Sequence, residues 1–155
     1  MNALDLLELY KARGLRIATA ESCTGGMVSA AITDVAGSSA VFERGFVTYT
    51  NDAKMQMLGV HPDTLKAHGA VSEQVAAEMA AGALENSDAD VAVSITGIAG
   101  PGGSDFKPEG RVCFGLATKS GDVLTETLEF GAIGRANVRA KSVQKAIALL
   151  KSAAT

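Results

Sequence analysis

The residues best suited to chemistry lie in three short stretches. The first, "ATAESCTGG" at 18–26, packs Glu21, Ser22, Cys23 and Thr24 between an apolar run and two glycines. A strand that only fills a core ends in a turn residue. This one ends in a carboxylate, two hydroxyls and a thiol. With Gly25 and Gly26 opening a helix, the junction lies above the carboxyl end of a strand, where open α/β sheets place their ligands. Unsatisfied N–H groups near Thr24, Gly25 and Gly26 can hold an anion or a developing oxyanion. Ser22 or Cys23 would then be a nucleophile beside an oxyanion hole. A plainer alternative stands beside it: Ser22 and Thr24 cap the helix, and Cys23 is a small core residue.

A nucleophilic serine needs a base. His61 and His68 lie in a polar connector, which suits exposed side chains better than catalytic ones. "TYTNDAK" at 48–54 offers a lysine instead. With Asn51 as N-cap, Lys54 is the third helical residue. The positive end of the helix dipole disfavours an ammonium there, and partial burial adds to the effect. Tyr49 could pass a proton or orient Ser22. Lys54 could as well be a solvated surface charge, and Tyr49 a half-buried strand residue. The third stretch, "SITGIAGPGG" at 94–103, sets Gly97, Gly100, Gly102 and Gly103 after an apolar run. Successive N–H groups in such a loop can form an anion-binding nest. It lacks the Gly-Lys-Ser/Thr ending of a Walker A loop and the GxGxxG spacing, and a plain flexible loop fits as well.

The elements that must position these stretches follow from periodicity and breakers. Leu6, Leu9 and Tyr10 share one face of a helix over 2–13, which Gly14 closes. Residues 15–20 read as a strand, 25–36 as a helix broken by 37–39, and 41–50 as a strand with Gly45 at a bulge. A short helix over 52–58 ends at Gly59, and "HPDTLKAHG" makes another turn or two. Ser72 begins a longer helix. Residues 90–96 read as a buried strand. After the loop 97–110, strands near 111–119 and 122–130 are joined by "KSGD", a hairpin signal, and a helix over 135–152 finishes the chain. This order implies one layered α/β domain over residues 1–155, a central mixed sheet flanked by helices. Strand order does not follow from it.

Bulk properties narrow the partners. The chain has 155 residues, is 47% hydrophobic and carries a net charge of −3 with no run of Lys or Arg. Broad electrostatic binding to nucleic acid is therefore not expected. No apolar run reaches about 18 residues, so no membrane span is expected. The N-terminus lacks the basic and apolar regions of a signal peptide. Cys23 and Cys113 set up neither a disulfide framework nor a zinc spacing, and two histidines without HExxH predict no metal site. No cofactor is expected. A reducing cytoplasm fits these features.

"TAESCTGG", "FERGFVTYTNDAK", "GAVSEQVAAEMA" and "SITGIAGPGG" together resemble the C-terminal domain of the competence-damage-inducible protein CinA. The resemblance covers residues 4–152, and four motifs in order make it specific. It implies hydrolysis of the carboxamide of nicotinamide mononucleotide to nicotinate mononucleotide and ammonia, within the recycling of pyridine nucleotides for NAD synthesis. By the same resemblance Ser22 is the nucleophile, Lys54 and Tyr49 are its lysine and tyrosine, and Thr96 contributes a further hydroxyl. Thr24, Gly25 and Gly26 would hold the oxyanion. Gly97, Ala99 and Gly100 would hold the phosphate, with Arg135 and Arg139, four apart on one helix face, within reach of it. Glu21 either orients Lys54 or caps the helix. A homo-oligomer is implied by the resemblance alone. Two other classes stay open: a non-catalytic nucleotide-binding or interaction domain, and an amidase or peptidase using Cys23.

Overall fold

The computed structural model describes residues 2–104 and 106–155. Helix α1, Ala3–Arg13, is capped by the Asn2 side chain and ends at Gly14 in the left-handed region. Strand β1, Ile17–Glu21, runs one residue past its expected end, so Glu21 belongs to the strand. Helix α2 is Met27–Thr33, shorter than the expected 25–36. Gly25 and Gly26, at φ 56 and 107, form the turn ahead of it rather than its first residues. A 3-10 turn at Ser38–Ala40 leads into β2, Phe42–Val47. Helices α3, Asn51–Leu58, α4, Pro62–His68, and α5, Glu73–Glu85, come next. Ser72 caps α5 as its sequence position predicts, accepting from the Val75 N–H at 3.2 Å. Strands β3, Val91–Gly97, β4, Arg111–Thr118, and β5, Val123–Glu129, precede α6, Arg135–Ala154.

Two local expectations fail. Gly45 is not a bulge: it pairs in register with Thr19, and the irregularity falls between the pairs Ile17–Phe42 and Ala18–Arg44. Glycine is needed there for another reason. A Cβ on Gly45 would lie 2.7 Å from both Thr19 Oγ1 and Ser29 Oγ. The N-cap of α3 is Thr50, whose hydroxyl accepts from the Ala53 N–H, and not Asn51, which is already helical.

The sheet order is β2-β1-β3-β4-β5. β1 pairs in parallel with β2 and β3, while β4 and β5 continue antiparallel, β4 and β5 as the expected hairpin. Alternation along the strands separates two cores. On one face Ile17, Val93, Ile95 and Phe114 pack with Leu6 and Tyr10 of α1, Ile32 of α2 and Leu150 of α6. On the other, Ala18, Ala20 and Ala92 meet Val75, Met79 and Ala83 of α5. The chain leaves β1 for β2 on one side and returns to β3 on the other. That reversal is a topological switch point, and a crevice opens above the carboxyl ends of β1 and β3. The first and third stretches begin there.

Candidate active site

Ser22 is the first residue after β1. Its N–H donates to the Ile95 carbonyl at 2.9 Å, tying it to β3. Glu21, fully buried, turns its carboxylate toward α2. Oε1 accepts from Thr24 Oγ1 at 2.6 Å and the Val28 N–H at 2.9 Å; Oε2 accepts from the Ser29 N–H at 3.0 Å and Ser29 Oγ at 2.7 Å. Four donors and the positive end of a helix offset the burial of this charge. Of the two roles open to Glu21, the geometry assigns capping. The Gly25 N–H donates to the Ser22 carbonyl at 3.0 Å, and Arg139 donates from Nε to the Cys23 carbonyl at 3.0 Å and from Nη2 to that of Thr24 at 3.3 Å. The N–H groups of Gly25, Met27, Val28 and Ser29 are thus taken from within. Thr24, Gly25 and Gly26 shape the turn but do not line the cavity, contrary to their expected place at the oxyanion.

Lys54 is the fourth residue of α3, with its N–H donating to the Thr50 carbonyl at 3.1 Å. Its side chain is 1% exposed. Nζ donates to Ser22 Oγ at 3.0 Å and to the Thr48 carbonyl at 2.8 Å. Among the described residues no carboxylate pairs with it. Burial without a counter-charge lowers the amine from the ordinary 10.5 to about 8, against a smaller opposing effect of the Cys23 thiol. The lowering was expected from the helix dipole; burial is its main source. The Cys23 thiol itself is pushed up to about 11 by burial, so it stays protonated and is a weak nucleophile.

The Ser22–Lys54 pair opens into a cavity of about 330 Å³, within the range of small-ligand sites. Tyr49, Thr96, Gly97, Ala99, Gly100 and Arg135 line it. Their contacts differ from expectation. Tyr49 is 56% exposed, and its hydroxyl accepts from Arg135 Nη2 at 2.8 Å instead of meeting Ser22. Arg135 Nη1 donates to the Gly100 carbonyl at 2.8 Å, so this arginine spans the mouth of the cavity. Arg139, one turn along α6, faces the Ser22 loop and is absent from the wall. Thr96 Oγ1 gives its proton to the Ala70 carbonyl at 2.8 Å and can only accept from a ligand. The Ile98 N–H is spent on the Arg111 carbonyl at 2.9 Å.

Asn51, Ala70, Val71 and Lys107 also line the cavity; none was expected as a site residue, Asn51 only as a cap. Ala70 and Val71 precede the cap Ser72 and belong to the motif "GAVSEQVAAEMA". Lys107 donates to the carbonyls of His68 and Val71. Among the described residues no group of three His, Cys, Asp or Glu could hold a metal ion. No described helix is long and apolar enough to cross a membrane.

The model of the CinA C-terminal domain matches residues 2–154. The chain belongs to the CinA C-terminal domain family. It is similar to the nicotinamide-nucleotide amidohydrolase PncC of Escherichia coli K12, with 62% identity over 119 residues, 76% of this chain and 72% of that protein. A CinA-like protein of Chloroherpeton thalassium is 60% identical over 114 residues, but this CinA domain spans only 27% of its length. In three dimensions the chain is similar to the competence/damage inducible protein CihA of Agrobacterium tumefaciens, with a TM-score of 0.94 and 50% identity over 97% of this chain and 92% of that one.

Proposed function

We propose that this chain is a nicotinamide-nucleotide amidohydrolase that converts nicotinamide mononucleotide and water to nicotinate mononucleotide and ammonia. The observation that carries the chemistry is the buried Lys54 Nζ, 3.0 Å from Ser22 Oγ with no carboxylate beside it. The substrate comes from PncC relatives at 57–64% identity. Ser22 Oγ attacks the carboxamide carbon as neutral Lys54 takes its proton. The C–N bond then breaks while Lys54 returns that proton to the leaving nitrogen, and ammonia departs. Water, deprotonated by Lys54, attacks the acyl-enzyme; the ester bond breaks and Ser22 recovers its proton. Glu21 holds the Val28 and Ser29 N–H groups and the Ser22 carbonyl holds that of Gly25, so these three do not meet the oxyanion. Tyr49 and Thr96 act as wall residues, and Arg135 is the arginine placed to meet the phosphate. Arg139 holds the Ser22 loop.

A non-catalytic nucleotide-binding domain would have no use for an ammonium buried against a serine, an arrangement that costs about 3 kcal/mol at neutral pH from a lowering to about 8. A Cys23 enzyme would need a thiolate that burial disfavours. The same proposal places the chain in the cytoplasm, where two buried free thiols persist, as a homo-oligomer that does not bind nucleic acid. The test is ammonia release from nicotinamide mononucleotide by the purified chain. Turnover supports the reading, and binding without turnover would overturn it.

A further inference from the structure

The cavity wall has a charge pattern that the dyad does not use. Its described lining residues include three cations, Lys54, Lys107 and Arg135, and no carboxylate, although the chain as a whole carries −3. Lys54 is committed to Ser22. Arg135 spans the mouth. Lys107 stands in the glycine-rich loop beside Gly102, Gly103 and Ser104, which share its wall.

Its ammonium is not a mobile surface charge. The carbonyls of His68 and Val71 take two of its N–H groups, and the side chain is half-buried. Among the described residues the third N–H has no partner. The wall is continuous from the dyad to this point: Thr96 is bonded to Ala70, and Val71, the next residue, to Lys107. Glu109, in the same loop, is not among the lining residues; its Oε1 accepts from the Gly102 N–H at 2.6 Å. A fixed ammonium sharing a cavity wall with Gly103 and Ser104 suits a doubly charged phosphate monoester.

We propose that Lys107, acting beside Arg135, is a specificity residue for the substrate phosphate, selecting a nucleotide over the corresponding nucleoside. This rests on the amidohydrolase reading above. Lys107 sets kcat/KM for the phosphorylated substrate and leaves the chemistry at Ser22 unchanged.

The experiment compares ammonia release from nicotinamide mononucleotide and from nicotinamide riboside, which lacks only the phosphate. Wild type is measured first; release from neither substrate would refute the amidohydrolase reading itself. Lys107→Gln keeps donors for the two carbonyls but has no charge. It should lower kcat/KM for the mononucleotide roughly 10- to 100-fold, the size of a lost charged hydrogen bond, and change the riboside by less than about 3-fold. Lys107→Arg should keep most of the preference. Lys107→Met gives the same reading if the Gln variant folds poorly. A wall that Lys107 merely supports would lose both substrates in equal measure. An unchanged ratio of the two kcat/KM values in the Gln and Met variants, or an equal fall of that ratio in the Arg variant, overturns the assignment.

Discussion

Two neighbouring strands of the sheet end in opposite ways. After β1 the chain turns within five residues, 22–26, and the turn is tied down locally: the Glu21 carboxylate by four donors, the Ser22 carbonyl by Gly25, the Cys23 and Thr24 carbonyls by Arg139. After β3 the chain takes thirteen residues, 98–110, to reach β4, and this loop is held at separate points by Arg135, Lys107 and Glu109. The first junction fixes a nucleophile to within a hydrogen bond of its base. The second presents backbone and cations to the rest of a ligand. Bond making demands placement within a fraction of an ångström, whereas recognition tolerates a suspended loop.

The sharpest way to break the comparison is at the first junction. Ser22→Ala should lower turnover by about 10³-fold or more with the fold intact, since one hydroxyl leaves a turn whose other bonds remain. Cys23→Ser should keep turnover within a few-fold. Near wild-type ammonia release by Ser22→Ala, or its loss in Cys23→Ser alone, would move the nucleophile to the thiol.

Glu21→Gln tests whether that junction is held by charge. The amide keeps one acceptor oxygen but turns an NH₂ toward N–H and O–H donors. It should cost roughly 3 kcal/mol in urea unfolding. A loss below about 0.5 kcal/mol would show that the turn does not depend on the carboxylate.

Lys54→Met should be inactive and yet more stable by about 1–2 kcal/mol at pH 7: removing the disfavoured ammonium gains about 3, and the lost hydrogen bonds take part of it back. The sign follows from proton binding. Below pH 8 the folded chain bears the full cost of the charge. Between about 8 and 10.5 the unfolded chain binds more protons than the folded one, so wild-type stability rises with pH and the gap to the variant closes. A gap of constant size across that window would mean Lys54 is not buried as an ammonium.

At the second junction effects should be smaller and of another kind. Glu109→Ala releases the Gly102 N–H and loosens the loop. It should raise KM several-fold with kcat nearly unchanged. An equal fall in kcat would make the two junctions alike.

The same contrast explains what sequence reading could reach. Ser22 could be flagged because the first junction is local (strand, polar cluster, Gly-Gly, helix), and Lys54 because a cap precedes it in "TYTNDAK"; for each, a plainer role stayed open until the four motifs were taken together. The buried strand β3 and the hairpin were visible in an apolar run and "KSGD"; which strands run parallel was not. Nor were three further features. Thr50 and Asn51 are adjacent and both good caps, so only the observed Thr50–Ala53 bond decides between them. Arg135 and Arg139 share a helix face, but the 6 Å or so between successive turns puts one at the cavity mouth and the other behind the nucleophile loop. Lys107 reads as one more loop lysine until the chain brings residues 68–71 against it. Each depends on contacts distant in sequence or on one residue of register, which local pattern does not encode.

Catalysis here depends on neutral Lys54 taking the Ser22 proton. The most direct test is ammonia release from nicotinamide mononucleotide between pH 6 and 10, wild type beside Lys54→Arg. Wild-type kcat/KM should rise with pH, inflect near 8 and level off above it, because only the neutral amine accepts a proton. The arginine variant should be about 10³-fold slower or worse throughout, since guanidinium keeps its proton across the range. Substantial turnover by the variant, or a wild-type profile without an inflection near 8, would contradict the assignment.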